Sequence, residues 1–188
     1  MSSVSYVKNE YSDIFASLIG KTFIKYKMDP IEYAPVSLWI VGVYVDDKAY
    51  KLTASQQEID RFFSNEEVAL FDFKEASDSE IVSRLDGIDF IEVPVKEKIE
   101  SIKMVVDKES VKHAGDIREI NTVKAIIFSL SGGNEVSFEL TEWFSEMITV
   151  SRGYELIQKV QSTDEFLEEW EDCDDYVPVV SREIIKFE

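Results

Sequence analysis

The sequence predicts an α+β fold in which hairpins build a mostly antiparallel β-sheet, with an N-terminal helix and short helices packed on it. Apolar runs of strand length recur along the chain and are separated by turn residues, as in sheets built from hairpins. Residues Ser5–Ile19 carry apolar side chains at the 3–4 spacing of a buried helix face. Gly132-Gly133 stands between two apolar runs and predicts a hairpin over Val123–Leu140.

This hairpin is the element around which the rest of the sheet is expected to form. The favoured two-residue turns need φ > 0, which glycine adopts without strain. A Gly132-Gly133 turn and a four-residue loop Ser131–Asn134 predict the same register, whereas a loop of three or five residues would turn one strand over. The predicted cross-strand pairs are Ile127 with Phe138, Ala125 with Leu140 and Ser129 with Val136.

The two strands of the hairpin differ in polarity. Ala125–Phe128 is apolar on both faces, so the first strand is predicted to lie inside the sheet with both faces covered. Glu135–Leu140 alternates between polar and apolar residues, which predicts that one face of the second strand meets water. The side chains expected to be mostly buried are Trp39, Ile127, Phe138 and Trp170.

Periodicity and turn residues predict the remaining elements. The helix over Ser5–Ile19 should end at Gly20. Thr141–Glu146 is predicted to be a short connector or a single helical turn, and Tyr154–Val160 fits a strand as well as a helix. The other predicted strands are Lys21–Met28, Ser37–Val45 with Ala49–Thr53, Val68–Phe73, Ile88–Val95 with Ile99–Val106, Met147–Val150 and Val177–Phe187.

Three capping boxes, each a serine followed three residues later by a glutamate, predict short helices. They are Ser55 with Glu58, Ser77 with Glu80, and Ser162 with Glu165. The third should begin a helix that buries Phe166, Leu167 and Trp170. Asp107–Ile120 is polar, contains Gly115 and is predicted to be a loop.

The length of 188 residues predicts a single α+β domain over 1–188. The hairpins at 37–53 and 123–141 both end in an aromatic residue, a charged residue, leucine and threonine. A weak internal duplication would explain this likeness, although any two hairpins share part of the pattern.

Charge is the strongest signal in the composition, with 20 basic and 38 acidic residues and a formal net charge of −18. Such a field repels phosphate backbones and anionic lipid surfaces, so neither nucleic acid nor a membrane is an expected partner. The longest uncharged run, Tyr33–Val45, is too short to span a bilayer and is predicted to be a buried strand. The single cysteine and the lack of a signal-peptide pattern predict a cytoplasmic location.

Few residues offer catalytic chemistry. Cys173 is flanked by four carboxylates that oppose thiolate formation, so an inert, partly buried thiol is predicted. His113 is the only histidine and is expected to be exposed in a loop. No zinc spacing and no phosphate-binding glycine loop is present, so no catalytic residue, metal ligand or cofactor is assigned.

The most suggestive segment is 164–175, in which eight of twelve residues are acidic. Acids in the first helical turn suit the helix dipole, whereas those near the C-terminus oppose it. We predict that this segment binds a partner, with Tyr176 as the nearest candidate for an apolar anchor; a solvated helix face is the alternative. The acids are Asp164, Glu165, Glu168, Glu169, Glu171, Asp172, Asp174 and Asp175.

The leading hypothesis for function is a non-catalytic, acidic protein-binding module with a basic protein partner. In general character, although through no residue motif, the chain resembles small acidic immunity-type and inhibitor proteins that neutralise a basic toxin or enzyme. A carboxylate-based hydrolase or divalent-cation-dependent enzyme is one alternative. A homo-oligomeric structural protein is another, with a homodimer formed by edge-strand pairing as its simplest form.

Overall fold

The computed structural model of the protein describes residues 2–30 and 35–188. These ranges contain two α-helices, α1 (Glu10–Leu18) and α2 (Asp164–Glu168), and two short 3₁₀ turns at Asp78–Glu80 and Leu156–Lys159. The strands are β1 (Ser2–Ser5), β2 (Thr22–Met28), β3 (Val36–Leu38), β4 (Ile40–Val45), β5 (Lys48–Arg61), β6 (Ser64–Glu75), β7 (Ile91–His113), β8 (Asp116–Leu130), β9 (Glu135–Leu140), β10 (Met147–Gly153) and β11 (Tyr176–Phe187).

The strands form one mostly antiparallel sheet with the order β3-β10-β9-β8-β7-β2-β4-β5-β6, in which β11 also pairs with β7 and β1 runs parallel to β8. Trp39 alone separates β3 from β4, although these strands are far apart in the sheet order. The sheet therefore curls until they meet. The prediction of a mostly antiparallel sheet is confirmed. The predicted α+β class is only partly matched, because the two helices span just nine and five residues.

The main core fills the inside of the curl and is covered by α1. Tyr11, Phe15 and Leu18 of this helix are fully buried, and the Phe15 ring lies 5.2 Å from that of Phe73. The predicted start of the helix at Ser5 is wrong, because Ser2–Ser5 pairs with β8 instead. Its predicted end is confirmed, since Gly20 has a φ of +77°.

The central hairpin forms, but the predicted register is wrong by one residue. Leu130 and Asn134 close a three-residue loop through a main-chain hydrogen bond of 2.9 Å, and Gly133 adopts a φ of +80°. This loop type, with a left-handed last residue, is common in hairpins. Phe138 therefore lies opposite Ile126, and Ile127 points to the other face.

The prediction that one face of β9 meets water is also wrong, because all six residues of the strand are buried. Segment 156–161 covers the expected wet face. The carboxylates of Glu135 and Glu139 hold it by accepting the N–H groups of Leu156 and Gln161 at 2.7 and 2.8 Å. The inner position of β8 is confirmed, since Ala125–Phe128 is fully buried between β7 and β9.

Among the side chains expected in the core, Ile127 and Phe138 are fully buried. Trp39 and Trp170 are only partly buried. Trp39 has a φ of +66° and interrupts the predicted strand Ser37–Val45. The beginning of the uncharged run Tyr33–Val45, residues 33 and 34, lies outside the described residues.

Strand β7 replaces the hairpin predicted over Ile88–Val106. Lys96 has a φ of +61° and lies at a register shift against β2. The chain bends there and continues as a strand rather than turning back. The predicted loop Asp107–Ile120 is likewise wrong, because it forms the far end of the β7–β8 hairpin, with positive φ at Ala114 and Gly115 in the turn.

The helix predicted from Ser55 is wrong, because this part of the chain pairs along its whole length with β6 as strand β5. In the Ser77–Glu80 box the Glu80 carboxylate accepts the Ser77 N–H at 2.9 Å, but the box begins only one 3₁₀ turn. Tyr154–Val160 contains the second 3₁₀ turn. The predicted strands that the structure confirms, with bounds shifted, are Lys21–Met28, Ala49–Thr53, Val68–Phe73, Met147–Val150 and Val177–Phe187.

A second, smaller core lies between the tip of the β5–β6 hairpin and the far end of β7, β8 and β11. Its buried members include Ile59, Phe62, Val111, Ile120 and Phe166. Phe166 belongs to α2, so this core holds α2 and the chain that follows it against the sheet. The acidic segment is thereby positioned at one end of the molecule.

Candidate interaction surface

We call residues 164–175 the acidic segment; it begins with α2 and ends in two turns that lead into β11. All eight of its acidic residues are exposed. Asp164, Glu165 and Glu168 lie in α2, Glu169 follows directly, and Glu171, Asp172, Asp174 and Asp175 lie in the turns.

The helix is shorter than predicted, since it ends at Glu168. Beyond it the N–H groups of Trp170, Glu171, Cys173 and Tyr176 each bond to the carbonyl three residues earlier, at 2.9–3.2 Å. Carboxylates at a helix C-terminus oppose the dipole, and like charges three or four residues apart repel each other. This explains why the acidic residues after Glu168 lie in turns rather than extending α2.

The predicted capping box at Ser162 does not form. Thr163 is the N-cap residue and makes no side-chain cap bond, while the Glu165 carboxylate accepts a hydrogen bond from the Gln161 amide. Of the three side chains expected to be buried by this helix, Phe166 is buried, Trp170 is partly buried and Leu167 is 40% exposed.

Tyr176 is partly buried, and its ring is engaged within the protein. It stacks on His113 with ring centroids 4.2 Å apart and an interplanar angle of 13°, and it packs against Trp170 at 5.2 Å. His113 is also partly buried rather than exposed. The predicted anchor is therefore committed to the fold, because moving it would break this aromatic cluster.

Exposed apolar side chains follow the acidic segment on β11. Val177 and Val179 are 56% and 57% exposed and share one face of the strand. The sequence did not single them out, because Val177–Val180 is a continuous apolar run with no polar alternation to show which side chains face outward. They offer apolar contact beside the acidic segment.

Beneath the acidic segment lies a cluster of buried and partly buried charged side chains. The Arg61 guanidinium meets the Glu169 carboxylate at 2.6 Å and lies 3.9 Å from the centre of the Trp143 ring. Asp107 and Arg182 form a bidentate ion pair, with hydrogen bonds of 2.6 and 2.8 Å. Such paired contacts are among the stronger charge-assisted hydrogen bonds.

Glu109 lies at the centre of this cluster, between two small cavities of about 40 and 50 Å³. Desolvation raises the pKa of Glu109 to about 7, and the nearby Arg61 charge opposes this rise. Desolvation also lowers the pKa of Lys124, which lines both cavities. Sequence reasoning missed Glu109 because it had assigned this stretch to a loop.

Other chemistry is sparse in the described ranges 2–30 and 35–188. They contain no group of three or more His, Cys, Asp or Glu residues placed to hold a metal ion. Cys173 is a free, partly buried thiol, as predicted. No helix within the same ranges is long and apolar enough to cross a membrane.

Fold and surface together define a mostly antiparallel β protein with an acidic segment beside an exposed strand. In comparisons with protein-family models, with curated proteins and with solved structures, the chain matches none.

Proposed function

We propose that the chain is a non-catalytic module that binds a basic protein through the acidic segment. The observation that carries the proposal is the charge of this surface. Glu169 is the only one of the eight carboxylates in an ion pair with another described residue, and all eight residues are exposed. A surface of unpaired like charges attracts a cationic partner and accelerates its association.

Charge alone gives little affinity, because exposed ion pairs contribute at most about 1 kcal/mol each. Affinity needs apolar side chains that become buried on binding. Val177 and Val179 meet this need, since both are more than half exposed and follow the acidic segment directly. Tyr176 supports the surface from within through its stacking on His113.

A cytoplasmic inhibitor or immunity-type protein is the class we propose within this function. Such a protein blocks a basic toxin or enzyme by covering its surface and needs no catalytic group of its own. The net charge of −18 supports this class, because it attracts basic proteins and repels nucleic acid.

The test is a charge reversal that leaves the fold intact. The site variant carries Glu168→Lys, Glu171→Lys, Asp172→Lys and Asp174→Lys; Glu169 is kept because it pairs with Arg61. The matched control carries Asp47→Lys, Asp86→Lys, Asp89→Lys and Glu100→Lys, four exposed residues elsewhere on the chain.

A basic protein captured from host lysate by the wild type is purified, and its association rate is measured at about 50 and about 500 mM salt. We expect the site variant to associate at least about tenfold more slowly at low salt, with the control much closer to the wild type. The wild-type rate should fall at high salt. Equal rates for the site variant and the control would contradict the proposal.

A carboxylate-based enzyme is a second candidate, supported by Glu109. Its pKa of about 7 suits a general acid or base, and Asp107, Glu165 and Glu169 line the same cavity. The cavity of about 50 Å³ has room for water but not for a sugar or a peptide. An enzymatic role would therefore require α2 to move away from the sheet.

A further inference from the structure

Strand β11 is a long edge of the sheet. It pairs with β7 along all twelve of its residues, and no other strand pairs with it among the described residues. Apart from the bond from Tyr176 to Cys173, no main-chain bond links β11 to a described residue outside the ladder with β7. Edge strands of this kind are templates for pairing with another chain.

The β7–β8 turn determines which main-chain groups of β11 are free. Two residues form this turn, so His113 and Asp116 are a hydrogen-bonded pair and such pairs alternate from there. Odd-numbered residues of β7 thus bond to β8, and even-numbered ones face β11. One bond on β8 is consistent with this alternation. The Asn121 carbonyl points away from β7, where it accepts the Tyr6 N–H at 2.9 Å.

The even-numbered residues of β7 lie opposite odd-numbered residues of β11, such as Ser110 opposite Val179. The even-numbered residues of β11 therefore direct their main-chain groups outward. Pro178 fits this order, because a proline is tolerated where its missing N–H would face solvent. The N–H groups left free are those of Val180, Arg182, Ile184 and Lys186.

The other long edge, β6, is partly occupied. The Ala69 N–H donates to the Trp143 carbonyl at 2.7 Å, and the Phe71 carbonyl accepts the Tyr11 hydroxyl at 2.7 Å. The remaining edges, β1 and β3, span only four and three residues. Strand β11 is thus the longest free edge in the described ranges.

We propose that the basic partner binds by adding an extended segment to the free edge of β11 as a further strand. This inference rests on the proposed function and specifies its binding mode. Apolar side chains of the added strand would lie beside Val177 and Val179, and its lysine or arginine end would lie beside the acidic segment. A second copy of this chain fits less well, because each copy carries a net charge of −18.

The probe is a synthetic peptide of alternating valine and threonine that ends in three lysines. Its matched control has the same sequence with N-methyl groups on alternate residues, which removes the donors that a strand needs. Binding to the full chain is followed by amide hydrogen exchange and by titration. We expect protection at the N–H groups of Val180, Arg182, Ile184 and Lys186, and about tenfold weaker binding of the methylated peptide.

Two variants test the same edge from the side of the protein. Ile184→Pro removes an outward N–H without removing a bond to β7, and Ile184→Thr keeps that N–H while changing the half-exposed side chain. We expect about tenfold weaker peptide binding for the proline variant and little change for the threonine variant. The methylated peptide decides the question even where the proline variant fails to fold.

The results separate the binding mode from the proposed function. Salt-dependent binding without protection on β11, equal for both peptides, would overturn strand addition and leave the acidic surface as the binding site. Protection on β11 that appears without peptide, together with a doubled mass in sedimentation, would overturn the choice of partner in favour of a second copy. Failure of the peptide to bind at millimolar concentration would overturn the proposal as well.

Discussion

The guanidinium of Arg61 and the carboxylate of Glu169 meet at 2.6 Å, and this ion pair joins the acidic segment to the end of β5. The Arg61 side chain is 7% exposed and also meets Glu66 at 3.4 Å. Its guanidinium carbon lies over the Trp143 ring, 3.9 Å from the ring centre. Arg61 is therefore the cation that holds an otherwise self-repelling segment against the sheet.

Replacing Arg61 with methionine should destabilise the protein. Glu169 would lose its ion-pair partner, and Glu109 the cation that lowers its pKa. Because both carboxylates are close to other acids, we expect a loss of about 2–3 kcal/mol in the free energy of unfolding. Urea denaturation at neutral pH measures it. The control, Arg84→Met, changes an exposed arginine and should cost much less; equal losses would contradict the role given to Arg61.

Phe138 should be one of the most sensitive positions in the main core. It is fully buried, and its ring lies 6.0 Å from those of Tyr26 and Phe128. Phe138→Ala should cost about 3–5 kcal/mol, because the truncation removes buried apolar surface and leaves a cavity. Phe144→Ala is the matched control, since Phe144 is 53% exposed. A denaturant midpoint that moves no further for Phe138→Ala than for the control would contradict this placement.

Local patterns predicted the elements whose causes are local. Gly20 ends α1 because a left-handed residue closes a helix, and the Ser77–Glu80 box forms because its groups are three residues apart. The apolar run Ala125–Phe128 identified an inner strand, since a sequence apolar on both sides must be covered on both faces.

The predictions that were wrong concern features that depend on contacts with distant parts of the chain. Ser55–Phe63 has a helical capping pattern, but pairing with β6 over the whole strand outweighs it. Asp107–Ile120 is polar because it lies at the end of the curl, where α2 and the β5–β6 tip cover it rather than the main core. The surroundings of Glu109 could not be predicted for the same reason, since Arg61 and Glu169 reach it from other elements.

The three-residue loop between β8 and β9 sets the register of these two strands, and its conformation depends on Gly133. Its φ of +80° disfavours most side chains, whereas asparagine tolerates this conformation better than β-branched residues do. Gly133→Val should cost about 1–2 kcal/mol through backbone strain, and Gly133→Asn should cost less. Apart from the two neighbouring residues, no atom lies within 4 Å of a Cβ placed at this position, so crowding of the Cβ does not explain the difference. Thermal unfolding of the two variants gives the comparison; equal midpoints would show that the turn does not depend on this conformation.

Glu109 should make the stability of the protein depend on pH. Its pKa rises from an ordinary value of 4.5 to about 7 in the folded protein because of desolvation. Below pH 4.5 the carboxyl is protonated in both the folded and the unfolded chain. Between these two values the unfolded chain releases its proton while the folded chain retains it, so a rise in pH favours unfolding. Above about pH 7 the carboxyl is ionised in both states and its contribution stays constant.

The variant Glu109→Gln keeps the shape of the side chain and removes this titration. We expect the free energy of unfolding of the wild type, minus that of the variant, to fall by about 3 kcal/mol as the pH rises through this window. Urea denaturation at several pH values measures both proteins. Taking the difference removes the titration of the other carboxylates, some of which, such as Asp72, have a lowered pKa and act in the opposite direction. Glu100→Gln, on an exposed position of the same strand, is the control and should show much less of this fall. Parallel curves for the wild type and Glu109→Gln would show that the carboxyl of Glu109 is solvated, and they would also remove the observation on which an acid–base role for this residue rests.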